Sequence, residues 1–340
     1  MDSSLYQKLL KLPKVELHNH LEGGSMYPDL ALKFAKRNGM TLPFRDETSA
    51  KDFYSFTSLD QFIDILRTTV STLNTAEDYA DAAERQGVEA AKQNILYHEL
   101  FVTYGLVSRR GVAWEAIVEG LEEGIKRNRE KHGVHTAFIC DLDRTLPEPT
   151  ALEHVKLAER DREKAGIIGI GLDCQERGYP AIRLKSSFDY AKSTGFRLTA
   201  HAGEDGGPAS VWDALSCGVE RIEHGVQSYE DPTLMKHLAE HQILLTVCPI
   251  SNIQLKVFPN MQNHSIPKLV EAGIPICVNS DDPPMFDCQL MDEIIAIEET
   301  FGFGEDKLVD MLRNAIKFSF MDTQLKETFL QNFEATLSEN

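Results

Sequence analysis

The sequence predicts an α/β fold, a (β/α)8 TIM barrel with extra helices after strand 1 and at the C-terminus. Three observations favour this fold. Eight short apolar runs alternate with longer amphipathic segments from residue 15 onward, and several of those segments end in glycine, the residue that most easily ends a helix. Such alternation is typical of β/α units on a parallel sheet, and eight units close a barrel.

The apolar runs predict the strands in chain order. They cover residues 15–20, 95–103, 134–142, 167–174, 196–201, 220–224, 243–249 and 274–279. Amphipathic periodicity predicts helices over 75–94, 112–133, 152–166 and 208–218. Three helical stretches within 25–94 predict an insertion that caps the barrel mouth, and the chain from Met291 onward predicts terminal helices. Because no linker or internal repeat interrupts the pattern, we expect one domain over 1–340.

Composition excludes several classes of partner. The chain has 53 acidic and 35 basic residues, a formal net charge of -18. A nucleic acid or an anionic membrane is disfavoured, because no net positive field would attract phosphate. No apolar stretch approaches the ~18 residues that a membrane span needs. The sequence therefore predicts a soluble, cytoplasmic protein with a small-molecule ligand, and it leaves the oligomeric state open.

Cysteine usage points to a reducing compartment. The six cysteines are scattered and form no CxxC pair: Cys140, Cys174, Cys217, Cys248, Cys277 and Cys288. Several lie inside strand-like apolar runs. We expect buried free thiols and no disulfides.

Metal-ligand residue types recur where predicted strands end. His18 and His20 share one face at the end of strand 1, His201 closes strand 5, His224 closes strand 6, and Asp281 follows strand 8. Side chains at the carboxyl ends of barrel strands converge on one rim. Imidazoles with a carboxylate suit Zn²⁺. Strand 4 carries no lysine that could bridge two ions, which favours one zinc per chain.

The other histidines are interpreted as structural, because none has a partner at ligand spacing. They are His98, His132, His135, His154, His237, His241 and His264.

Five motifs are spread along the chain: LPKVELHNHLEG, RLTAHAGEDGGP, RIEHGV, TVCPISNIQL and VNSDDPPMF. Together they resemble the adenosine/adenine deaminase family, a branch of the amidohydrolase barrels, over essentially the whole chain. The resemblance implies hydrolytic removal of the 6-amino group of a purine, with release of ammonia, at a single zinc.

The resemblance also implies a role for each matching residue. The family's zinc ligands correspond to His18, His20, His201 and Asp281. Glu204 matches the acid that protonates the ring nitrogen next to the attacked carbon and relays the proton from the water. His224 matches the residue that holds the attacking hydroxide at the metal. Asp282 matches the carboxylate that bonds the far ring nitrogen of the purine.

The choice of purine depends on further positions. Glu22 of HLEG, Glu176 of GLDCQERGYP and the stretch CPISNIQLKVF resemble the adenine-type subgroup, whereas adenosine enzymes usually have Asp and Gly at the two Glu positions. We expect both carboxylates near N9, where a free base has an N–H to donate. The sequence thus favours adenine-type free-base deamination in purine salvage.

Two segments depart from the adenine subgroup, FVTYGLVS at 101–108 and the residues at 284–292. A deaminase of adenosine or of a modified adenosine therefore stays open. So does a metal-dependent amide or ester hydrolase on the same barrel. A non-catalytic nucleobase-binding barrel is the alternative of another class, and Glu204 together with His224 argues against it, because a binding protein needs no proton shuttle.

Overall fold

The fold is taken from a computed structural model, which describes residues 1–57 and 59–339. Within these residues eight parallel strands form one sheet whose spatial order is the chain order. The strands are β1 (Lys14–His20), β2 (Ile95–Val102), β3 (His135–Asp143), β4 (Ile167–Asp173), β5 (Arg197–Ala202), β6 (Arg221–His224), β7 (Leu244–Val247) and β8 (Ile276–Val278). The predicted barrel is confirmed, with strand ends that differ from the sequence prediction by a few residues.

The barrel closes where β1 meets the end of β8. Asn19 and Asp281 form a parallel bridge. The side chain of Asn279 accepts hydrogen bonds from the backbone N–H groups of Leu17 (2.9 Å) and His18 (3.2 Å). An amide side chain therefore continues the ladder after β8 ends, and it fixes the backbone on which His18 stands.

The strands are buried on both faces, as parallel strands covered by helices usually are. Ile170 and Leu172 on β4 and Leu244 and Leu245 on β7 have essentially no exposed surface. This explains why the strands appear in the sequence as continuous apolar runs. Polar residues are buried among the strands as well, for example Glu99, Arg221 and Glu223, and each one needs a partner there.

The helices surround this sheet, and further helices precede β1 and follow β8. They are α1 (Ser3–Lys11), α2 (Leu21–Gly24), α3 (Pro28–Arg37), α4 (Glu47–Phe53), α5 (Leu59–Val70), α6 (Ala76–Lys92), α7 (Tyr104–Ser108), α8 (Trp114–Arg127), α9 (Glu148–Arg160), α10 (Arg162–Ala165), α11 (Lys185–Ser193), α12 (Pro208–Ser216), α13 (Pro232–Glu240), α14 (Pro249–Gln254), α15 (Ile266–Glu271), α16 (Pro283–Phe286), α17 (Leu290–Phe301), α18 (Gly304–Phe318) and α19 (Thr323–Glu339). A π turn at Asn128–His132 extends α8.

The insertion after β1 is more divided than predicted. The described residues between β1 and β2 form five helices, α2 to α6. Four of them, α3 to α6, lie within 25–94, where the sequence predicts three. Two of the five are short: α2 is a single turn, and α4 is seven residues long with a capping box between Asp46 and Ser49. Elements of one or two turns are too short to show helical periodicity, which is why the sequence does not resolve them. The predicted helix over 152–166 likewise divides at Asp161 into α9 and α10.

The insertion contacts the barrel rim, as the predicted cap requires. The ring of Phe62 on α5 stacks on Phe286 of α16, with centroids 5.1 Å apart. Leu66, one turn further along α5, lies beside Gly23 of α2. A Cβ at Gly23 would collide with the carboxyl of Asp282. Glycine is therefore required where the insertion approaches the end of β8.

The predicted terminal helices are confirmed, and α18 packs on β1 and β8. The packing supports one domain over 1–340, which stays a prediction. All six cysteines lie within the described residues and are free; five are buried and Cys174 is exposed. Among the described residues, no helix is both long enough and apolar enough to cross a membrane.

Candidate active site

Unusual backbone conformations mark the ends of β6 and β8. His224 has φ +65° and Asp281 has φ +64°, in the left-handed region that L-residues seldom adopt. Along β6 the side chains alternate between the two faces, so an extended strand would point His224 away from the barrel interior. The left-handed turn re-aims it. Backbone strain of this kind costs about 1–3 kcal/mol and clusters at functional sites.

Four of the predicted residues converge on one point. His20 Nε2 lies 3.1 Å from His201 Nε2 and 3.5 Å from Asp281 Oδ1. His18 Nε2 lies 3.6 Å from the same oxygen. His18, His201 and Asp281 are buried, and His20 keeps 16% of its side chain exposed. The structure therefore brings together the histidines and the carboxylate that the sequence predicts as metal ligands.

The spacing fits a tetrahedral zinc. Ligand atoms about 2.0–2.1 Å from the ion in tetrahedral directions are about 3.3 Å from one another, and the observed separations of 3.1, 3.5 and 3.6 Å bracket that value. His18 Nε2 is buried and has no hydrogen-bond partner within the described residues. An orphaned ring nitrogen aimed at two imidazoles and a carboxylate is the arrangement that a bound cation would satisfy.

Three of the candidate ligand side chains also form hydrogen bonds through the atoms that face away from the cluster. His18 Nδ1 lies 2.9 Å from Thr246 Oγ1, and His201 Nδ1 donates to the carbonyl of Leu172 (3.0 Å). Ser251 donates to Asp281 Oδ2 (2.6 Å). Burial and the neighbouring imidazoles lower the pKa of both His18 and His201, so both rings are neutral and can bind a metal.

His224 stands beside this cluster and contacts the predicted proton shuttle. Its Nε2 lies 3.7 Å from Glu204 Oε2. Asn252 Nδ2 lies 3.3 Å from both His224 Nδ1 and Glu204 Oε1. His18, His201 and His224 each offer a ring nitrogen within metal-binding distance of the others, so the structure places His224 at the edge of the ligand cluster.

A chain of hydrogen bonds fixes the tautomer of His224. The backbone N–H of Ile266 donates to His264 Nδ1 (3.2 Å), which leaves the hydrogen of that ring on Nε2. His264 Nε2 then donates to Asn252 Oδ1 (3.2 Å), so the amide turns its N–H toward His224 Nδ1. His224 therefore carries its own hydrogen on Nε2, the nitrogen that lies 3.7 Å from Glu204 Oε2.

Glu204 has the protonation state that its predicted role needs. Loss of solvent around the carboxyl, with repulsion from Glu176 and Asp205, raises its pKa to about 8. The side chain still keeps 24% of its surface exposed, so it faces open space and is not sealed in the core. A carboxylic acid that is neutral at pH 7 and reachable by a ligand is suited to general acid catalysis.

Asp282 lies next to the cluster with one oxygen unused. Its Oδ1 is buried and has no partner in the part of the chain that the structure describes. Burial, followed by repulsion from Asp281, raises its pKa well above the usual value for Asp. A buried polar atom without a partner is costly, so this oxygen is positioned for a ligand.

A second group of carboxyls lies on the side formed by the ends of β2 and β4. The backbone N–H of Thr103 donates to Glu22 Oε1 (3.0 Å), and its hydroxyl donates to Asp173 Oδ2 (2.5 Å). Glu22 Oε2 and Asp173 Oδ1 are buried with no partner among the described residues. Burial raises the pKa of Glu22 to about 8 and that of Asp173 to about 7. We call Glu22, Thr103 and Asp173 the far-edge group.

Glu176 is placed differently from its prediction as a substrate contact. Oε1 accepts from the backbone N–H of Gly203 (2.5 Å), and Oε2 accepts from those of Asp205 and Gly206 (2.8 Å each). Both oxygens thus hold the turn that carries Glu204. A direct contact with a purine stays a prediction, and the geometry favours support of the turn.

Sequence reasoning missed several residues of the site. Phe101 on β2 packs against His18, His20 and His201 with ring centroids 5.2–5.4 Å apart. Arg144, 1% exposed, donates to the carbonyls of Asp173 and His201 and so ties the ends of β4 and β5 together. Asn252 lies inside the motif TVCPISNIQL, and this motif is the sequence feature that could have indicated a role for it in the site.

The comparison with protein families decides the relationship. The family model described as adenosine deaminase matches residues 13–336. The chain belongs to the adenosine deaminase family. The predicted resemblance and the predicted class, a deaminase among the hydrolases, are therefore confirmed.

Several known proteins resemble the chain over nearly its full length. A Streptomyces coelicolor protein named adenine deaminase is 36% identical over 333 residues, which is 97% of each chain. A crystal structure of adenine deaminase from Arthrobacter aurescens superposes with a TM-score of 0.91 at 32% identity, covering 96% of this chain and 99% of that one. An amidohydrolase from Burkholderia ambifaria, solved with bound Zn, shares the fold at 24% identity with a TM-score of 0.89, covering 100% of this chain and 96% of that one.

Proposed function

We propose that the chain hydrolyses adenine to the 6-oxopurine and ammonia, with one zinc per chain bound by His18, His20, His201 and Asp281. The observation that carries this proposal is Glu204, a carboxyl with a pKa of about 8 beside a cluster of ligand atoms spaced for a tetrahedral ion. The names of the relatives support adenine as the substrate, and the Burkholderia ambifaria structure supports zinc.

Zinc, when bound, would supply Lewis acidity that lowers the pKa of water from ~15.7 to ~7. The protein residues supply orientation and proton transfer. His224, with its hydrogen on Nε2, donates a hydrogen bond to the attacking oxygen and aims it at C6. Asp282, protonated because its pKa is raised, donates to N7 on the far side of the ring.

Glu204 moves the protons of the reaction. Its carboxyl delivers a proton to N1 as the water oxygen adds to C6, which neutralises the electron density that reaches the ring nitrogen. The resulting carboxylate accepts the proton that the adding water loses. It passes this proton to the amino group, which leaves as ammonia. The hydroxyl on C6 then gives its proton back to Glu204 as the C6=O bond forms, so the acid form of Glu204 is restored. Asn252 forms hydrogen bonds with both Glu204 and His224, and it thereby holds these two side chains in a fixed position relative to each other.

The far-edge group supports a free base as the substrate. Glu22 and Asp173 both bind Thr103, so the two carboxyls are neighbours, and each has one free oxygen. Repulsion between them favours a state in which one is protonated and the other ionised. Such a pair donates to N3 and accepts from N9–H of an unsubstituted purine, whereas a nucleoside has no hydrogen on N9.

The cellular setting is part of the proposal. Five buried free thiols and the exposed free thiol of Cys174 suit a reducing cytoplasm. We place the reaction in purine salvage, without a nucleic-acid or membrane partner. One observation favours a second candidate, a related 6-aminopurine: Thr103 lies in the segment 101–108 that departs from the adenine subgroup, and it organises the far edge.

Turnover of a panel of compounds tests the proposed function, measured as release of ammonia or amine from the purines and amides and as acid formation from the lactones. The panel contains adenine, adenosine, 2′-deoxyadenosine, 5′-modified adenosines and N6-substituted adenines. Lactones and simple amides are included as substrates of other hydrolase classes. We expect adenine to give the highest kcat/KM. Turnover of lactones or amides alone would contradict deamination, and preference for a nucleoside would contradict the free base. Binding of purines without ammonia release would identify a binding protein.

A further inference from the structure

We propose that Glu223 is a positioning residue for the metal site, which fixes the tautomer of His18 through the hydroxyl of Thr246. The proposal rests on the assignment of His18 as a zinc ligand. Glu223 is the residue before His224 on β6, and it faces the barrel interior below the cluster of ligand atoms. It is completely buried, as are His18 and Thr246.

The contacts form a short chain from the ligand into the core. His18 Nδ1 lies 2.9 Å from Thr246 Oγ1 and 3.5 Å from Glu223 Oε2. The Thr246 hydroxyl donates to the same carboxylate oxygen of Glu223. The hydroxyl of Thr246 therefore lies between the imidazole and the carboxylate.

The direction of these hydrogen bonds follows from the chemistry of the groups. An ionised carboxylate only accepts hydrogen bonds, and a hydroxyl has a single hydrogen. Because Thr246 gives its hydrogen to Glu223, its oxygen must accept from His18 Nδ1. The ring hydrogen of His18 is thereby held on Nδ1, which also lies 3.2 Å from the backbone carbonyl oxygen of Thr246, a second acceptor. The lone pair of Nε2 then points toward Asp281 Oδ1, 3.6 Å away. Carboxylate or hydroxyl partners of this kind orient metal-binding histidines in general.

An ion pair keeps Glu223 in the role of acceptor. Arg221 Nε donates to Glu223 Oε1 (2.8 Å), and Arg221 Nη1 donates to Glu99 Oε2 (2.6 Å). Thr199 also donates to Glu223 Oε1. The guanidinium supplies a counter-charge at the same depth in the barrel, with 1% of its surface exposed. Both oxygens of Glu223 are thus committed to donors.

Glu99 provides a matched control. It is equally buried and pairs with the same guanidinium, yet its other hydrogen bonds come from Tyr97 Oη (3.2 Å) and the backbone N–H of Phe320 (2.5 Å). Loss of either carboxylate therefore disturbs the same buried ion pair. Only the loss of Glu223 reaches His18 and Thr246.

The experiment measures the dissociation constant for zinc by chelator competition in the full-length protein. In Glu223→Gln the amide can donate to Thr246, so the threonine hydroxyl no longer has to accept from His18 Nδ1. The backbone carbonyl of Thr246 then remains as the acceptor for that nitrogen, and the ring hydrogen is held less firmly on Nδ1. We expect zinc binding about 10–100-fold weaker, the usual effect of removing such a partner. Glu99→Gln should bind zinc within about 3-fold of wild type, although both variants lose thermal stability.

Two variants of Thr246 keep the proposal testable if the buried carboxylate cannot be replaced. Thr246→Ser retains the hydroxyl and should retain zinc affinity, whereas Thr246→Val removes it and should weaken binding as Glu223→Gln does. The ¹⁵N shifts of the His18 ring in the metal-free protein provide a second readout. We expect hydrogen on Nδ1 in wild type and in Thr246→Ser, and a shift toward Nε2–H in Glu223→Gln.

Wild-type zinc affinity in both Glu223→Gln and Thr246→Val, or an equal loss in Glu99→Gln, would overturn the positioning role. A separate arm tests the assignment on which it depends. His18→Ala should lose zinc; if this variant binds zinc as wild type does, the ligand set of the proposed function is wrong. If His18→Ala loses zinc and Glu223→Gln does not, only the role of Glu223 fails.

Discussion

The candidate metal ligands (His18, His20, His201 and Asp281) and the far-edge group differ in how their polar atoms are satisfied. We call the region of the ligands the metal side. On the metal side, His18 and His201 each have a protein partner behind the ring, at 2.9 and 3.0 Å, and their other nitrogens converge within the cluster. On the far edge, Glu22 and Asp173 each keep an oxygen with no partner among the described residues. The first region presents convergent ligand atoms of the kind that bind a cation. The second presents unpaired oxygens of the kind that bind a polar ligand.

This difference separates chemistry from selectivity. Groups that are oriented in advance cost no reorganisation when the reaction occurs, so the metal side suits catalysis. Buried groups that lack partners reject any ligand that fails to supply them, because desolvation is then uncompensated. The far edge therefore decides which purine is accepted. Substitutions on the two sides should fail in different ways.

The largest expected effect comes from the metal side. His201→Ala removes one of the convergent ring nitrogens, so zinc content should fall toward zero and ammonia release to background. Elemental analysis together with the ammonia assay measures both. His237→Ala, on the outer helix α13, is the matched control and should retain both metal and activity. Full zinc content in His201→Ala would show that the cluster is not the metal site.

Replacement of the proton shuttle should separate metal binding from chemistry. Glu204→Gln keeps the shape of the side chain but cannot deliver a proton, so kcat should fall by about 10²–10⁴-fold while zinc content stays at the wild-type value. Asp205→Asn, the neighbouring carboxyl, should change kcat far less. Near wild-type turnover in Glu204→Gln would remove Glu204 from the mechanism.

Changes at the far edge should affect substrate binding and leave the metal in place. Thr103→Val removes the hydroxyl that holds Asp173, and we expect kcat/KM for adenine to fall about 10–100-fold, the scale of one hydrogen bond to a charged group. Thr103→Ser keeps the hydroxyl and should behave as wild type. Loss of zinc in Thr103→Val would mean that the two regions are not separable.

The pH dependence gives the smallest effect. The pKa of Glu204 is raised from its usual 4.5 to about 8, so the acid form that donates to N1 is present at neutral pH and is lost as pH rises through 8. Activity should then fall about ten-fold for each further pH unit. A profile that stays level to pH 10 in wild type would contradict a protonated Glu204.

Sequence reasoning located the metal side because its residues are chemically conspicuous. Histidine and aspartate directly after apolar strands are unusual, and barrel topology brings the strand ends to one rim. The far edge is less visible. Thr103 and Asp173 are ordinary residues at the ends of β2 and β4, and their importance arises from contacts across the rim.

Glu176 shows a further limit of the sequence. The sequence predicts Glu176 near N9 of the purine. In the structure its oxygens instead accept hydrogen bonds from three backbone N–H groups of the turn at 203–206. That turn depends on left-handed backbone at Gly203 and Gly207, with φ +67° and +75°. The target of a carboxylate on one loop is set by the conformation of another loop, and residue types alone do not specify that conformation.

The most direct test of the account compares adenine with 9-methyladenine in the zinc-loaded wild-type protein. The two bases differ only at N9, where the methyl group removes the hydrogen that the far edge is proposed to accept. We predict a kcat/KM for adenine at least ~10²-fold higher, within the range of up to ~10⁵ that hydrogen-bonding sites reach. The ratio should shrink in Asp173→Asn. Equal kcat/KM values for the two bases in wild type would contradict the account.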